Sequence, residues 1–134
     1  MLPFPFSLHI GTDVVHLPRI LRLISKPGYL TRFTHRILTP QEQSDFRRRF
    51  HLSDAAASLP ASRDMARWLA GRFAAKEAAR KAAPAGAGAV SWKAVRVQVG
   101  EGGRPGMEVS GREARVSISH DADYVVATVL AASS

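Results

Sequence analysis

Cysteine is absent from this sequence. Its absence excludes disulfides, thiolate nucleophiles and cysteine-ligated zinc or iron–sulfur centres, and it fits a reducing compartment. Long apolar runs are missing too: none approaches the roughly 18 residues that cross a bilayer as a helix, so no membrane association is expected. No Walker loop, Rossmann glycine fingerprint or metal-binding histidine pair occurs, and there is no G-x-S-x-G nucleophile elbow. Acids are scarce, 11 Asp+Glu against 19 Lys+Arg, a formal net charge of +8. Such an excess attracts nucleic acid, anionic lipid, an acidic protein or a polyphosphate ligand, and charge alone does not choose among them.

The scarcity of acid is sharpest at the start. From Met1 to Pro40 the only acid is Asp13, in a segment that carries Arg19, Arg22, Lys26, Arg32 and Arg36. Arginine-rich, acid-poor starts resemble transit peptides. Asp13, however, belongs to a motif taken up below, so only about Met1 to Phe6 is expendable.

What is present fits one globular domain, 1–134, with 46% hydrophobic residues and a chain able to bury about two-thirds of its unfolded surface. Ser7 to Val15 is apolar and β-branched, which predicts a buried strand. Leu17, Ile20, Leu21 and Ile24 follow at helical spacing, with Pro18 in the first turn and Lys26-Pro27-Gly28 as the stop. Tyr29 to Leu38 is a second short helix with Phe33 and Ile37 on one face. Thr39, Pro40 and Glu42 form a capping-box start for a third, running to about Phe50. His51 to Ala61 reads as an enlarged loop.

Ser62 to about Ala83 is the longest helix, and Pro84 to Gly88 breaks it. The period then changes to two. Val90 to Val99, Met107 to Val109, Ala114 to His120 and Tyr124 to Ala131 read as strands, with turns at Gly100 to Gly106 and Asp121 to Asp123. The class is α+β: an antiparallel sheet packed against a long helix and shorter ones.

Three segments can carry chemistry. Ile10-Gly11-Thr12-Asp13 puts a carboxylate on a buried strand, where it needs a cation, a metal or several N–H donors. Arg72-Phe73-Ala74-Ala75-Lys76-Glu77, with Arg80 and Lys81, lies on the long helix. Val116-Ser117-Ile118-Ser119-His120 runs from a strand into a turn. Each has a plainer reading: Asp13 as the partner of an arginine or the cap of a nearby helix, Glu77 and Lys81 as an exposed i,i+4 pair, His120 as a turn residue. Two carboxylates from different elements are also the usual protein share of a Mg²⁺ site, with water and phosphate oxygens completing the octahedron. Ser119 and His120 are strand neighbours and point to opposite faces, so they do not make a hydrolase pair.

Taken together and in order, these segments resemble the holo-acyl-carrier-protein synthase family, the small type of 4′-phosphopantetheinyl transferase. Ile10 to Val15, with Arg19-Ile20 behind it, is similar to the family's first motif, and its wording looks more like that of fungal mitochondrial members. Arg32-Phe33, Arg36 to Thr39 and Glu42 resemble the stretch that follows. Trp68 to Ala78, with Lys81 behind it, is close to the family signature, and Ser117 to His120 with Asp123 to Ala127 resembles the closing motif.

The resemblance implies the phosphopantetheinyl transferase fold and transfer of 4′-phosphopantetheine from coenzyme A to a serine of an acidic apo acyl carrier protein. Release of 3′,5′-ADP and support of fatty-acid synthesis follow from it. By the same resemblance Asp13 and Glu77 hold Mg²⁺ and, with Lys81, form the catalytic set. Arg72, Lys76, Lys81 and His120 contact coenzyme A phosphates, and Arg19 meets the carrier. A homotrimer with active sites between subunits is implied, as is an intracellular location, mitochondrial matrix or cytoplasm. Val15 stands where larger transferases carry a third carboxylate, and His16 stands where the family is often acidic. The competing readings are a basic nucleic-acid-binding α+β module and a non-catalytic subunit. Against the first, Tyr29, Trp68, Trp92 and Tyr124 are not interleaved with a basic stripe, and no nucleic acid is expected as a partner.

Overall fold

Alternation along LHIGTDVVH sorts the first strand, β1 (Leu8–His16), into two faces. In the computed structural model, which describes residues 1–52 and 61–133, Gly11 and Val15 are buried and Asp13 is half-buried on that same face. Leu8, Ile10 and Val14 stand exposed on the other. Three short helices follow: α1 (Leu17–Ile24), α2 (Tyr29–Ile37) and α3 (Pro40–Arg49). α1 buries Leu17, Ile20 and Ile24 and leaves Arg19 and Arg22 outside. α3 opens on the expected capping box: Thr39 accepts from the Glu42 N–H, and Glu42 accepts from the Thr39 N–H. The loop expected at His51 to Ala61 lies, for residues 53–60, outside the described residues.

The long helix, α4 (Arg63–Lys81), is capped by the Ser62 hydroxyl, which accepts from the Met65 N–H. Its sheet-facing side is alanine: Ala66, Ala70, Ala74, Ala75, Ala78, Ala79 and, just past its end, Ala82 are each at most 1% exposed. Small side chains let the helix lie close on β1 and on the last strand. Gly11 is the tightest point of that approach. A Cβ built there would sit 2.0 Å from the Ala78 carbonyl oxygen and 2.8 Å from the Ala82 nitrogen, so only glycine fits.

The remaining strands are β2 (Val95–Val99), β3 (Pro105–Val109), β4 (Arg112–Asp121) and β5 (Tyr124–Ala132). All pairs are antiparallel, in the order β1-β5-β4-β3-β2. The architecture is the expected α+β one, with one correction. The stretch from Val90 to Ala94 is not strand; it passes through a 3-10 turn at Trp92–Ala94. The physical reason lies in α4. Arg80 donates to the Val90 carbonyl at 2.7 Å and Lys76 donates to the Trp92 carbonyl at 3.0 Å. The Ser91 hydroxyl caps the turn by accepting from the Ala94 N–H. The carbonyls that a strand would offer to a neighbour are taken by helix side chains instead.

Candidate active site

β1 delivers Asp13 to the last turn of α4. Gly11 fixes the spacing, and Asp13, two residues on, shares its face of the pleat. There the Lys81 ammonium lies 3.0 Å from Asp13 Oδ1 and donates also to the Thr12 carbonyl at 3.0 Å. The Asp13 side chain is 16% exposed and that of Lys81 51% exposed, so the pair sits at the rim of the sheet rather than in the core.

Glu77 lies one helical turn before Lys81. It does not pair with Lys81 as an ordinary surface i,i+4 couple would. Its Oε1 accepts from Arg80 at 2.9 Å and from the indole N–H of Trp92. Arg80 and Arg36 both stack on the Trp92 ring, at 4.8 and 5.0 Å from its centroid. Phe73 lies 6.4 Å from the same ring. Among the described residues, Asp13 Oδ2 and Glu77 Oε2 have no hydrogen-bond or ion-pair partner.

The donor chemistry fits magnesium. Both candidate ligands are hard carboxylate oxygens on adjoining elements, each keeping one oxygen uncommitted. Among the described residues no group of three or more acidic or histidine side chains closes into a protein cage. A cation that keeps waters and takes phosphate oxygens suits so sparse a protein share.

Arg72 and His120 meet elsewhere, in a cleft whose walls include Arg49, Arg67, Trp68 and Ile118. Arg72 stacks on Trp68 at 3.8 Å, and its Nε is buried without a partner among the described residues. Burial lowers the Arg72 pKa from its usual value, and the nearby carboxylates of Glu42 and Asp45 act the other way. His120, near the end of β4, is exposed and paired in register with Val125. Among the described residues no hydrogen bond or ion pair links this cleft to Asp13, Glu77 or Lys81. Arg19 is exposed on α1.

Lys76 requires a correction. It was expected to contact a coenzyme A phosphate, yet it has no exposed surface. Its ammonium pairs with Glu42 Oε1 at 2.7 Å and donates to the carbonyls of Trp92 and Val95. Three donors meet three acceptors, which leaves none for a phosphate. Burial pushes the Lys76 pKa down, the Glu42 carboxylate opposes that shift by charge and hydrogen bond, and Arg72 adds to it. Lys76 is a structural cation in this chain.

Sequence reasoning put Arg80 in the segment of Glu77 but missed Trp92 and Arg36 as neighbours of the site. The signal for Arg80 was the motif's own arrangement: it stands three residues after Glu77, on the same helix face. Nothing in the sequence tied Trp92 to that face, because the segment around it reads as strand.

Comparison with known proteins adds a family. Residues 9–129 match the model of the 4′-phosphopantetheinyl transferase superfamily. The chain is 59% identical to the mitochondrial 4′-phosphopantetheinyl transferase B of Aspergillus fumigatus, with 98% of each chain covered. It is 40% identical to the holo-[acyl-carrier-protein] synthase of Oceanobacillus iheyensis, over 90% of this chain and 92% of that one. Among solved structures it resembles the Bacillus anthracis holo-(acyl-carrier-protein) synthase in complex with CoA (3′,5′-ADP). That match has a TM-score of 0.71 and 34% identity, and covers 94% of this chain and 96% of the other.

Proposed function

The chain belongs to the 4′-phosphopantetheinyl transferase superfamily, and we propose that this enzyme moves 4′-phosphopantetheine from coenzyme A to a serine of an apo acyl carrier protein. In that reaction the serine hydroxyl attacks the β-phosphorus of coenzyme A and 3′,5′-ADP leaves. The observation that carries the reading is the meeting of Asp13 with Lys81, one turn from Glu77, on two elements locked together at Gly11. Phosphoryl transfer depends mainly on position and charge neutralisation, which such a constellation supplies.

Asp13 and Glu77 would hold Mg²⁺, which when bound polarises phosphoryl oxygens and offsets their charge. Lys81, half-exposed beside Asp13, would offset charge on a phosphate oxygen. Arg72 and His120 would grip a second anionic group of coenzyme A in their own cleft, where Arg49 adds positive charge and Arg67 is paired with Asp64. Arg19 would meet the acidic carrier.

A homotrimer with active sites between subunits is supported by the outer sheet face. Ile10, Val14, Tyr124, Val126 and Leu130 are all exposed there and lie side by side across the β1–β5 register. The lack of any hydrogen bond or ion pair, among the described residues, between the Arg72–His120 cleft and Asp13 or Glu77 fits a site completed by a second copy. The mitochondrial name of the Aspergillus relative supports a mitochondrial setting, with fatty-acid synthesis as the use of the modified carrier.

The test is direct. The protein is mixed with coenzyme A, Mg²⁺ and an apo acyl carrier protein, and the carrier is weighed by mass spectrometry. A gain of one phosphopantetheine arm, lost when EDTA removes the metal, supports the reading. No gain with any carrier of the fatty-acid type overturns it.

A further inference from the structure

We propose that Trp92 is a positioning residue for the Glu77 carboxylate, and so sets the affinity of the divalent-cation site; the inference rests on the reading of Glu77 as a metal ligand. Glu77 has three rotatable side-chain bonds and lies on the exposed side of a helix end, with a side chain 22% exposed. Left alone, it would populate several rotamers, and a cation would bear the entropy of selecting one. Two donors prevent this. The Trp92 indole N–H and the Arg80 guanidinium both converge on Oε1, and Oε2 is left for a ligand.

Trp92 is itself held at both ends by consecutive residues of α4. Lys76 fixes its backbone carbonyl at 3.0 Å, and Glu77 takes its indole N–H. Its ring is further confined by the guanidinium groups of Arg36 and Arg80 and by Phe73. The buried ion pair of Glu42 with Lys76 therefore reaches the metal carboxylate through one residue. Groups that orient a metal ligand commonly change metal affinity or activity by about 10–100-fold when removed. A phenylalanine at this position keeps a smaller aromatic ring beside Arg36, Arg80 and Phe73 and loses the N–H, so the circular dichroism of the variant is the control for packing.

Mn²⁺ serves as a paramagnetic stand-in for Mg²⁺, and its free signal is followed by electron paramagnetic resonance with coenzyme A present. Wild-type protein, Trp92→Phe and Glu77→Gln are compared. Trp92→Phe should bind Mn²⁺ about tenfold more weakly, with its circular dichroism spectrum unchanged. Glu77→Gln should lose at least as much. Wild-type affinity in Trp92→Phe, alongside weak binding by Glu77→Gln, overturns the positioning role and leaves the metal reading standing. Unchanged binding in Glu77→Gln, or none by the wild type, brings down both. A second measurement needs no variant. The chain has two tryptophans, so two indole N–H resonances, and Mg²⁺ should displace that of Trp92 further than that of Trp68. Equal displacement overturns the inference.

Discussion

Lys76 and Glu42 form an ion pair of 2.7 Å inside the protein, with side-chain exposures of 0% and 1%. Glu42 commits both oxygens: Oε1 also accepts from the Thr39 N–H at 2.8 Å, and Oε2 accepts from the Val97 N–H at 2.7 Å. One carboxylate thus joins the start of α3, the middle of α4 and β2. Removing one partner strands the other charge in a site that excludes water. Lys76→Met should cost about 3–5 kcal/mol of stability. The double variant Glu42→Gln, Lys76→Met should recover a large part of that, because no lone charge remains. Urea denaturation of the wild type, Lys76→Met, Glu42→Gln and the double variant measures the cycle. A double variant less stable than Lys76→Met alone would refute the charge-stranding account.

That pair also marks where the sequence was legible and where it was not. Thr39 and Glu42 announced a capping box, which is local chemistry within four residues, and the box is there. Glu42 spends both oxygens on partners far along the chain as well, and no local pattern carries that information. The same limit misread Lys76. A lysine beside Glu77 in a basic helix looks solvent-facing, yet one residue of rotation along α4 turns it into the core. The helical spacing of α1 was readable because it depends on period alone, whereas β1, read from its β-branched composition as a buried strand, keeps Leu8, Ile10 and Val14 exposed on one face. The stretch from Val90 to Ala94 was misread as strand because its fate was decided by side chains of α4 that bind its carbonyls.

Gly11 should tolerate no side chain. The two atoms that crowd its missing Cβ are backbone atoms of Ala78 and Ala82, so relief requires β1 and α4 to part. Gly11→Ala is expected to cost about 3 kcal/mol or more, and to weaken transfer by moving Asp13 from Lys81. Thermal melting and carrier modification check the two effects together. A variant that melts with the wild type would show that the helix–strand spacing is softer than this packing implies.

Asp13→Ala and Glu77→Ala should each abolish transfer while the fold persists. Neither carboxylate is part of the core, and each removes a charged oxygen from the reacting region. Mass spectrometry of the carrier gives the activity, and circular dichroism gives the fold. Near-normal turnover in either variant means that the metal assignment is wrong.

The outer face of β1 and β5 yields a prediction about assembly. Ile10 is 70% exposed and Val14 59% exposed, on a face whose cross-strand partners are Leu130 and Val126. A face of this kind is normally covered. On the proposed trimer, Ile10→Lys should shift the sedimenting species to monomer with the sheet intact, and should reduce transfer in step with that shift. A wild-type chain that sediments as a monomer removes the trimer from the account.

Salt should act on the two substrates unequally. Arg19 and Arg22 are exposed on α1, and the whole chain carries a formal charge of +8. Their attraction for an acidic carrier crosses solvent, where the screening length falls to about 8 Å at 0.15 M salt. Coenzyme A would be held more closely, by groups such as Arg72 that are half-buried and stacked on an aromatic ring, and buried charges are screened less. Raising salt from about 0.05 to 0.5 M should therefore increase KM for the carrier several-fold more than KM for coenzyme A. Arg19→Glu should raise the carrier KM at low salt and flatten its salt dependence, while the coenzyme A KM stays put. Equal responses of both KM values would mean that surface charge does not steer the carrier.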